Sequence, residues 1–192
     1  MTCQINHAQW LCLCAALLAG CVSYSGNPAI GKAERAQEMF INSQGNAEQA
    51  QKAHALASEA VAESPDDVYT LKIRADMSMQ IGHYEMALED YRALNRLSAQ
   101  NKLTECMLAE RIRPEPAPLD CYRDAAHTYQ GNVRQPEDEV NYALTLLFAE
   151  DDSAQSKVDS LIESTPAGPL KESYEFILRQ FDRKQYIQTI FP

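Results

Sequence analysis

Residues 68–101 constrain the fold of this chain more than any other stretch, because they form one complete pair of short amphipathic helices. Apolar residues recur at helical spacing in both halves, and Gly82 stands between the halves, where one helix must end and the chain reverse. The positions that define the pattern are Val68, Leu71, Ala75 and Met79, then Tyr84, Ala87, Leu88, Tyr91 and Leu94. A pair this short cannot bury its own apolar face, so it requires similar neighbours.

The rest of the chain supplies such neighbours. From residue 33 onward every helix-length segment is amphipathic with a period of 3.6, and no convincing alternating strand is present. Helices are predicted over 33–41, 47–63, 102–112, 119–130 and 170–181, with two more between 136 and 165. Turns within pairs fall near residues 45, 82, 116 and 151, and joints between pairs near 65, 99, 135 and 166. Steps of about 30 to 37 residues predict an all-α helical-hairpin solenoid.

Residues 68–101 resemble the tetratricopeptide repeat (TPR). They match its small and aromatic positions at Ala75, Gly82, Tyr84, Ala87 and Tyr91, and depart from it at Leu94 and Ala99. The preceding unit matches at Ala53, Ala60 and Pro65, and the two later units are degenerate. The resemblance covers about residues 33–166. It implies a TPR-like solenoid over residues 33–182, with three to four repeats and a C-terminal capping helix.

The same resemblance implies a binding groove on the first helix of the repeat. Carried onto this chain, the groove positions of the family are Tyr69, Lys72, Ile73, Asp76, Met79 and Gln80. An aromatic and two aliphatic side chains among polar ones suit an extended or helical peptide. Asp76 stands where repeats that clamp a carboxylate have asparagine, so capture of a C-terminal carboxylate is not expected. The alternative is that these residues pack against the adjacent repeat.

The N-terminus carries an export signal. Residues 10–20 form a short uncharged apolar run, which ends in Leu18-Ala19-Gly20-Cys21 and resembles the lipobox of bacterial lipoproteins. The resemblance implies a signal peptide over 1–20, lipidation of Cys21, a flexible tether over 21–32 and, with Val22 rather than aspartate, the outer membrane. The first nine residues depart from the pattern, since they contain no Lys or Arg. The alternatives are an ordinary cleaved signal or a buried N-terminal helix.

The net charge limits the classes of partner that the chain can bind, and the placement of its cysteines indicates the redox compartment. Seventeen Lys and Arg against 27 Asp and Glu give a net charge of −10, which argues against nucleic acid and anionic lipid as partners. Four of six cysteines lie in the first 21 residues. The other two, Cys106 and Cys121, flank the proline-rich turn 114–118 almost symmetrically, which predicts a disulfide in an oxidising compartment. The alternative is two buried free thiols.

No pattern in the sequence predicts a reaction. There is no Gly-x-Ser-x-Gly, no glycine loop for phosphate and no His-Glu-x-x-His. Cys106, Cys121 and His127 fit no zinc spacing and lack a fourth ligand. The prediction is therefore a non-enzymatic protein without cofactor or metal. The alternative from another class, a small envelope hydrolase, would require an acid–base or nucleophile cluster.

The tail, residues 183–192, is unusually apolar and is interpreted either as a cap over the last helix or as a docking peptide. Taken together, these features predict a scaffold or adaptor on the periplasmic face of the outer membrane. It resembles the repeat lipoproteins that assist envelope machines, with pilus or secretion-system assembly favoured and secretin or pilus components as partners. Adaptors of peptidoglycan hydrolases and subunits of outer-membrane protein assembly are the alternatives.

Overall fold

The computed structural model describes residues 27–97, 101–130 and 136–191, and this part of the chain is helical, with no strand. The all-α prediction is confirmed. The described residues form ten helices: α1 (Pro28–Asn42), α2 (Ala47–Glu63), α3 (Val68–Gln80), α4 (Tyr84–Leu97), α5 (Lys102–Ile112), α6 (Leu119–Tyr129), α7 (Pro136–Phe148), α8 (Ala154–Ser164), α9 (Pro169–Arg179) and α10 (Arg183–Ile190).

Helix α1 begins five residues earlier than predicted. The side chain of Asn27 accepts a hydrogen bond from the Ala29 amide at 3.1 Å, and Pro28 occupies the first turn, where its missing N–H costs nothing. Ala29 is completely buried. The predicted tether 21–32 is therefore corrected, since residues 28–32 belong to a packed helix. The predicted signal peptide and Cys21 lie outside the described residues.

Small residues bring the first three helices together. Four alanines at the α1–α2 contact have no exposed surface: Ala33, Ala36, Ala57 and Ala60. Ile73 and Met77 of α3 pack against the same cluster. Helix α1 contacts both α2 and α3. Because alanine side chains are short, three helix backbones approach closely at this end.

The predicted turns form where glycine permits them. Gly82 has φ +78° between α3 and α4, and Gly45 has φ +86° between α1 and α2. These angles lie in the left-handed region, which a side chain at Cβ disfavours. The proline-rich segment between α5 and α6 contains a cis bond before Pro116.

The helices flanking that segment are linked as predicted. The sulfur atoms of Cys106 and Cys121 lie at bonding distance, 2.00 Å, and their Cα atoms are 5.6 Å apart. Cys106 is fully buried. The disulfide joins α5 to α6 inside the core, as the prediction requires, and it leaves neither sulfur as a free thiol.

The main core extends from Val61 in α2 to Phe191, just after α10. Its centre is aromatic: Tyr122 and Phe148 stack with ring centroids 4.8 Å apart, and Phe181 meets Phe148 edge-on at 4.9 Å. The apolar tail contributes to this core, since Ile187 is 5% and Phe191 1% exposed. It folds back as a cap. It covers α5 and the end of α7, its Tyr186 ring meets Phe181 at the end of the last predicted helix, and residues 183–190 are helical.

Candidate functional site

Five of the six predicted groove residues lie at the surface of α3, and we call them the α3 surface: Tyr69, Lys72, Asp76, Met79 and Gln80. Tyr69 is 41% exposed, and Gln80 is also exposed. Ile73 is the exception, with 5% exposure among the alanines of α1 and α2. Its position is corrected from groove to core. The reason is geometric, because the helix turns about 100° from Lys72 to Ile73 and points Ile73 at α1 and α2.

A hydrogen-bonded group fixes the middle of the α3 surface. The ammonium of Lys72 lies 2.6 Å from both carboxylate oxygens of Asp76. The hydroxyl of Tyr91, from α4, donates to Asp76 at 2.8 Å. Burial of the Tyr91 ring raises the pKa of its hydroxyl, and the Asp76 charge raises it further, so the phenol stays a proton donor. Lys72 and Asp76 thus present a cation and an anion in a defined arrangement.

The α3 surface opens into a cavity of about 640 Å³, which we call the α3–α10 cavity. Its lining comprises Lys72, Asp76, Met79, Gln80, Tyr91, Thr104, Met107, Thr189, Ile190 and Phe191. Two methionines beside a charged pair form a mixed surface, and methionine adapts its shape to varied partners. The volume lies in the range of ligand sites, roughly 300–1,000 Å³. This cavity can hold several side chains of a bound peptide.

Phe191, directly after α10, is held by Tyr84 and Arg111, and we call these two residues the Phe191 socket. The ring of Phe191 meets that of Tyr84 edge-on, with centroids 6.0 Å apart. The guanidinium of Arg111 lies 4.8 Å from the centroid of Tyr84, and its Nε donates to the Phe191 carbonyl oxygen at 2.8 Å. Arg111 therefore holds the backbone of the tail and packs on the ring that contacts Phe191.

A charged cluster holds the other end of α10. Arg183 donates to the carbonyl oxygen of Phe148 and lies 3.1 Å from Glu150 and 3.9 Å from Glu110. Glu110 is 6% exposed and accepts a hydrogen bond from the Tyr122 hydroxyl at 2.8 Å. Burial raises the pKa of Glu110, and Tyr122 and Arg183 oppose that rise. Arg183 is thus the cation that compensates a buried carboxyl group.

The residues that hold α10 come from five earlier segments of the chain, and we call them the α10 site: Tyr84, Glu110, Arg111, Tyr122, Phe148 and Glu150. Sequence reasoning did not find this site. Its members are dispersed over helices and turns without a common spacing, and only their contact with the tail groups them.

Helices α2 and α3 also bring a histidine and a serine together, which the sequence analysis missed. Nε2 of His54 lies 2.8 Å from the Ser78 hydroxyl oxygen, and the His83 ring meets His54 edge-on at 5.3 Å. Such a pair resembles a nucleophile and its base. However, Ser78 has no exposed surface and His54 is 6% exposed, so no substrate reaches the hydroxyl in this structure. The bond ties α2 to α3.

The pKa of His54 is lowered, first by burial and then by the neighbouring His83 and Arg74, with Asp90 opposing. Asp90 is itself paired: Arg74 donates to both of its carboxylate oxygens, at 2.9 and 2.5 Å. The imidazole is therefore favoured in its neutral form. His54 and Ser78 stand 24 positions apart in the sequence, so no local motif predicts their hydrogen bond.

Within the described part of the chain, no three His, Cys, Asp or Glu side chains are grouped so that they could hold a metal ion. No helix there is long and apolar enough to cross a bilayer.

The fold and the α3–α10 cavity define an all-α protein with a solvent-accessible, mixed apolar and charged cleft. Comparisons with protein families, with curated proteins and with solved structures find no match.

Proposed function

We propose that this chain is a non-enzymatic scaffold, anchored in the outer membrane by a lipid on Cys21, which binds partner proteins in the periplasm through the α3 surface. The observation that carries the binding proposal is the α3–α10 cavity. Met79 lines this cavity together with the Lys72–Asp76 pair, and the exposed Tyr69 lies three residues before Lys72 on α3. A peptide bound there gains apolar contact from the methionines and orientation from the fixed charges.

We further propose that the helices form a TPR-like solenoid. Helices α3 and α4 form the pair that best matches the repeat, with Gly82 in the turn. The cavity is lined by α3 and by Thr104 and Met107 of α5, which are the first helices of two successive pairs. In TPR solenoids the first helices of the repeats line the binding groove, so the cavity corresponds in position to that groove.

The anchor is supported by the lipobox resemblance and the chain length. Helix α1 begins at Pro28, seven residues after Cys21, and that stretch spans at most about 25 Å when extended. A lipid on Cys21 therefore holds the helical domain close to the membrane. The Cys106–Cys121 bond suits the oxidising periplasm. The sequence resemblance favours machines that assemble pili or secretion systems as the place of action.

Co-isolation from crosslinked native envelopes tests the binding surface. Tyr69→Ala with Met79→Ala removes the exposed aromatic ring and the half-buried methionine of the α3 surface, so the amount of co-isolated partner should fall at least fivefold. Met39→Ala is the matched control, because Met39 on α1 is equally exposed, at 41%, and lies outside the cavity. Equal recovery of the same partners by the double variant, with normal folding, would contradict the proposal.

A further inference from the structure

We propose that the α10 site recognises a basic amphipathic helix of a partner protein, and that α10 is the internal occupant which this helix replaces. The inference deepens the proposed function and rests on it, since α10 forms one wall of the α3–α10 cavity. A partner that takes its place would bind beside the α3 surface. The chemistry of the ligand can be read from four side chains that contact the body of the protein, three from α10 and that of Phe191 directly after it.

The first requirement is a cation in the opening turn of the helix. Glu110 and Glu150 both face Arg183, and Glu110 is buried. If α10 left without replacement, the buried Glu110 would lose the positive charge of Arg183. A ligand without a cation at this position, whether uncharged or acidic, is therefore disfavoured. The net charge of −10 further attracts a basic partner.

The second requirement is a set of apolar anchors at helical spacing. Tyr186 meets the Phe148 ring edge-on at 5.6 Å, and Ile187 is buried beside it. Phe191 fills the socket of Tyr84 and Arg111. Counted from Arg183, Tyr186 and Ile187 fall at the third and fourth following positions of the helix, and Phe191 follows at the eighth as its C-cap residue. A ligand of this site is therefore an amphipathic helix with a basic first turn and an aromatic residue two turns later.

The size of α10 and its exposed side favour the release that we propose. Helix α10 has eight residues and its own N-cap, where Asp182 accepts from the Gln185 amide at 2.7 Å. Helices this short do not persist alone, so the helical structure of α10 depends on its site, and the proposal requires that α10 open locally. Five of its residues are exposed: Lys184, Gln185, Gln188, Thr189 and Ile190. Residues 180–182 connect it to α9, and its departure would expose Tyr84 of α4 and Arg111 of α5, which contact Phe191.

Binding of a peptide in trans tests this exchange on the full chain. The probe is a fluorescent peptide of residues 181–191, measured by anisotropy. In the wild type the tethered α10 competes at high effective concentration, so the peptide binds weakly. In Phe191→Ala the internal helix has lost its main anchor, so the dissociation constant should fall at least tenfold. The matched control is Gln188→Ala, an exposed side chain of the same helix outside the α3–α10 cavity, and it should behave as wild type.

Two peptide variants test the chemistry that the site requires. Peptides carrying Arg183→Gln or Phe191→Ala should bind the Phe191→Ala protein at least tenfold more weakly than the parent peptide. Equally weak binding of the parent peptide to all three folded proteins would overturn the proposal. So would equal affinity of the parent and the Arg183→Gln peptide.

Hydrogen exchange of the wild-type protein gives an independent readout. Amides from Tyr186 to Phe191 should exchange at least tenfold faster than those from Cys106 to Glu110 in α5. Equal protection would show that α10 opens only with the whole molecule and would overturn the proposal. A concentration-dependent dimer that exchanges α10 would overturn it too, by naming a second copy as the occupant. None of these outcomes depends on Tyr69 or Met79, so partner capture by the α3 surface succeeds or fails separately.

Discussion

Arg111 donates a hydrogen bond from Nε to the backbone carbonyl of Phe191, 80 residues further along the chain, at 2.8 Å. The same guanidinium packs on Tyr84, against whose ring Phe191 rests. Residues from α4, α5 and the tail thus meet at one point. This contact makes the tail a wall of the α3–α10 cavity, so the stability of the tail and the shape of the candidate binding surface are coupled.

Phe191→Ala should lower the free energy of unfolding by about 2 kcal/mol, less than the 3–5 kcal/mol typical of buried phenylalanines. The loss is limited because, once α10 has detached from its site, weaker contacts of α10 cannot lower the stability of the remaining helices any further. Urea unfolding measures it. Ile190→Ala should cost less than about 0.5 kcal/mol, as exposed substitutions usually do. Similar losses for the two variants would contradict the socket around Phe191.

The disulfide should contribute about 3 kcal/mol to stability, the value expected for a closed loop of this size. Replacing both Cys106 and Cys121 by serine should therefore lower the urea midpoint, and reductant should act on the wild type alone. Alkylation before reduction should leave both sulfurs unmodified. Two modified cysteines in the unreduced protein would refute the bond.

Stability should fall as the pH drops below about 6.5, the ordinary pKa of histidine. In the folded state burial, His83 and Arg74 hold the pKa of His54 below that value. Above pH 6.5 His54 is neutral in both the folded and the unfolded state. Below it the unfolded chain takes up a proton that the folded chain resists, so unfolding is favoured.

Urea unfolding at pH 7.5 and 5.5 measures this dependence. Replacing His54 by glutamine should reduce the difference between the two values, since glutamine does not titrate. His127→Gln, on the exposed side of α6, serves as the control and should leave the difference unchanged. An identical pH dependence in the wild type and the His54→Gln variant would rule out this role.

Cys21→Ser should move the protein from the membrane pellet to the soluble periplasmic fraction. Two or more acyl chains anchor a protein stably, because each buried methylene contributes roughly 0.8 kcal/mol, and serine accepts none of them. Fractionation of cells expressing either form measures the shift. Continued pelleting of the serine variant would remove the lipid anchor from the account.

Local signals were sufficient to predict most of the helices. The bounds of α2 and α5 match the predicted 47–63 and 102–112, because Asn46 caps the start of α2 and a proline follows the end of each helix. The reversal at Gly82 and the bridge across the proline turn were predictable for the same reason. These features depend on residues close in sequence.

Features that depend on distant residues escaped prediction. Helix α10 was treated as an apolar tail, although Asp182 three residues before Gln185 is a usable N-cap signal. Its helicity depends on Phe148 and Arg111, far away in sequence. Ile73 was assigned to the groove from its place in the repeat, but the alanines of α1 and α2 fix it in the core. Whether a side chain lies in the core or at the surface depends on its neighbours in the fold, and the spacing of residues in the sequence does not identify those neighbours.

The most direct test of the scaffold proposal is photocrosslinking in living cells from single positions. A photoreactive residue at position 69 lies on the α3 surface, and one at position 155 lies on the exposed side of α8, outside the cavity. We predict that position 69 yields a discrete adduct with one envelope protein and that position 155 does not. Equal adducts from both positions, or none from position 69 while the protein is folded and abundant, would contradict the account.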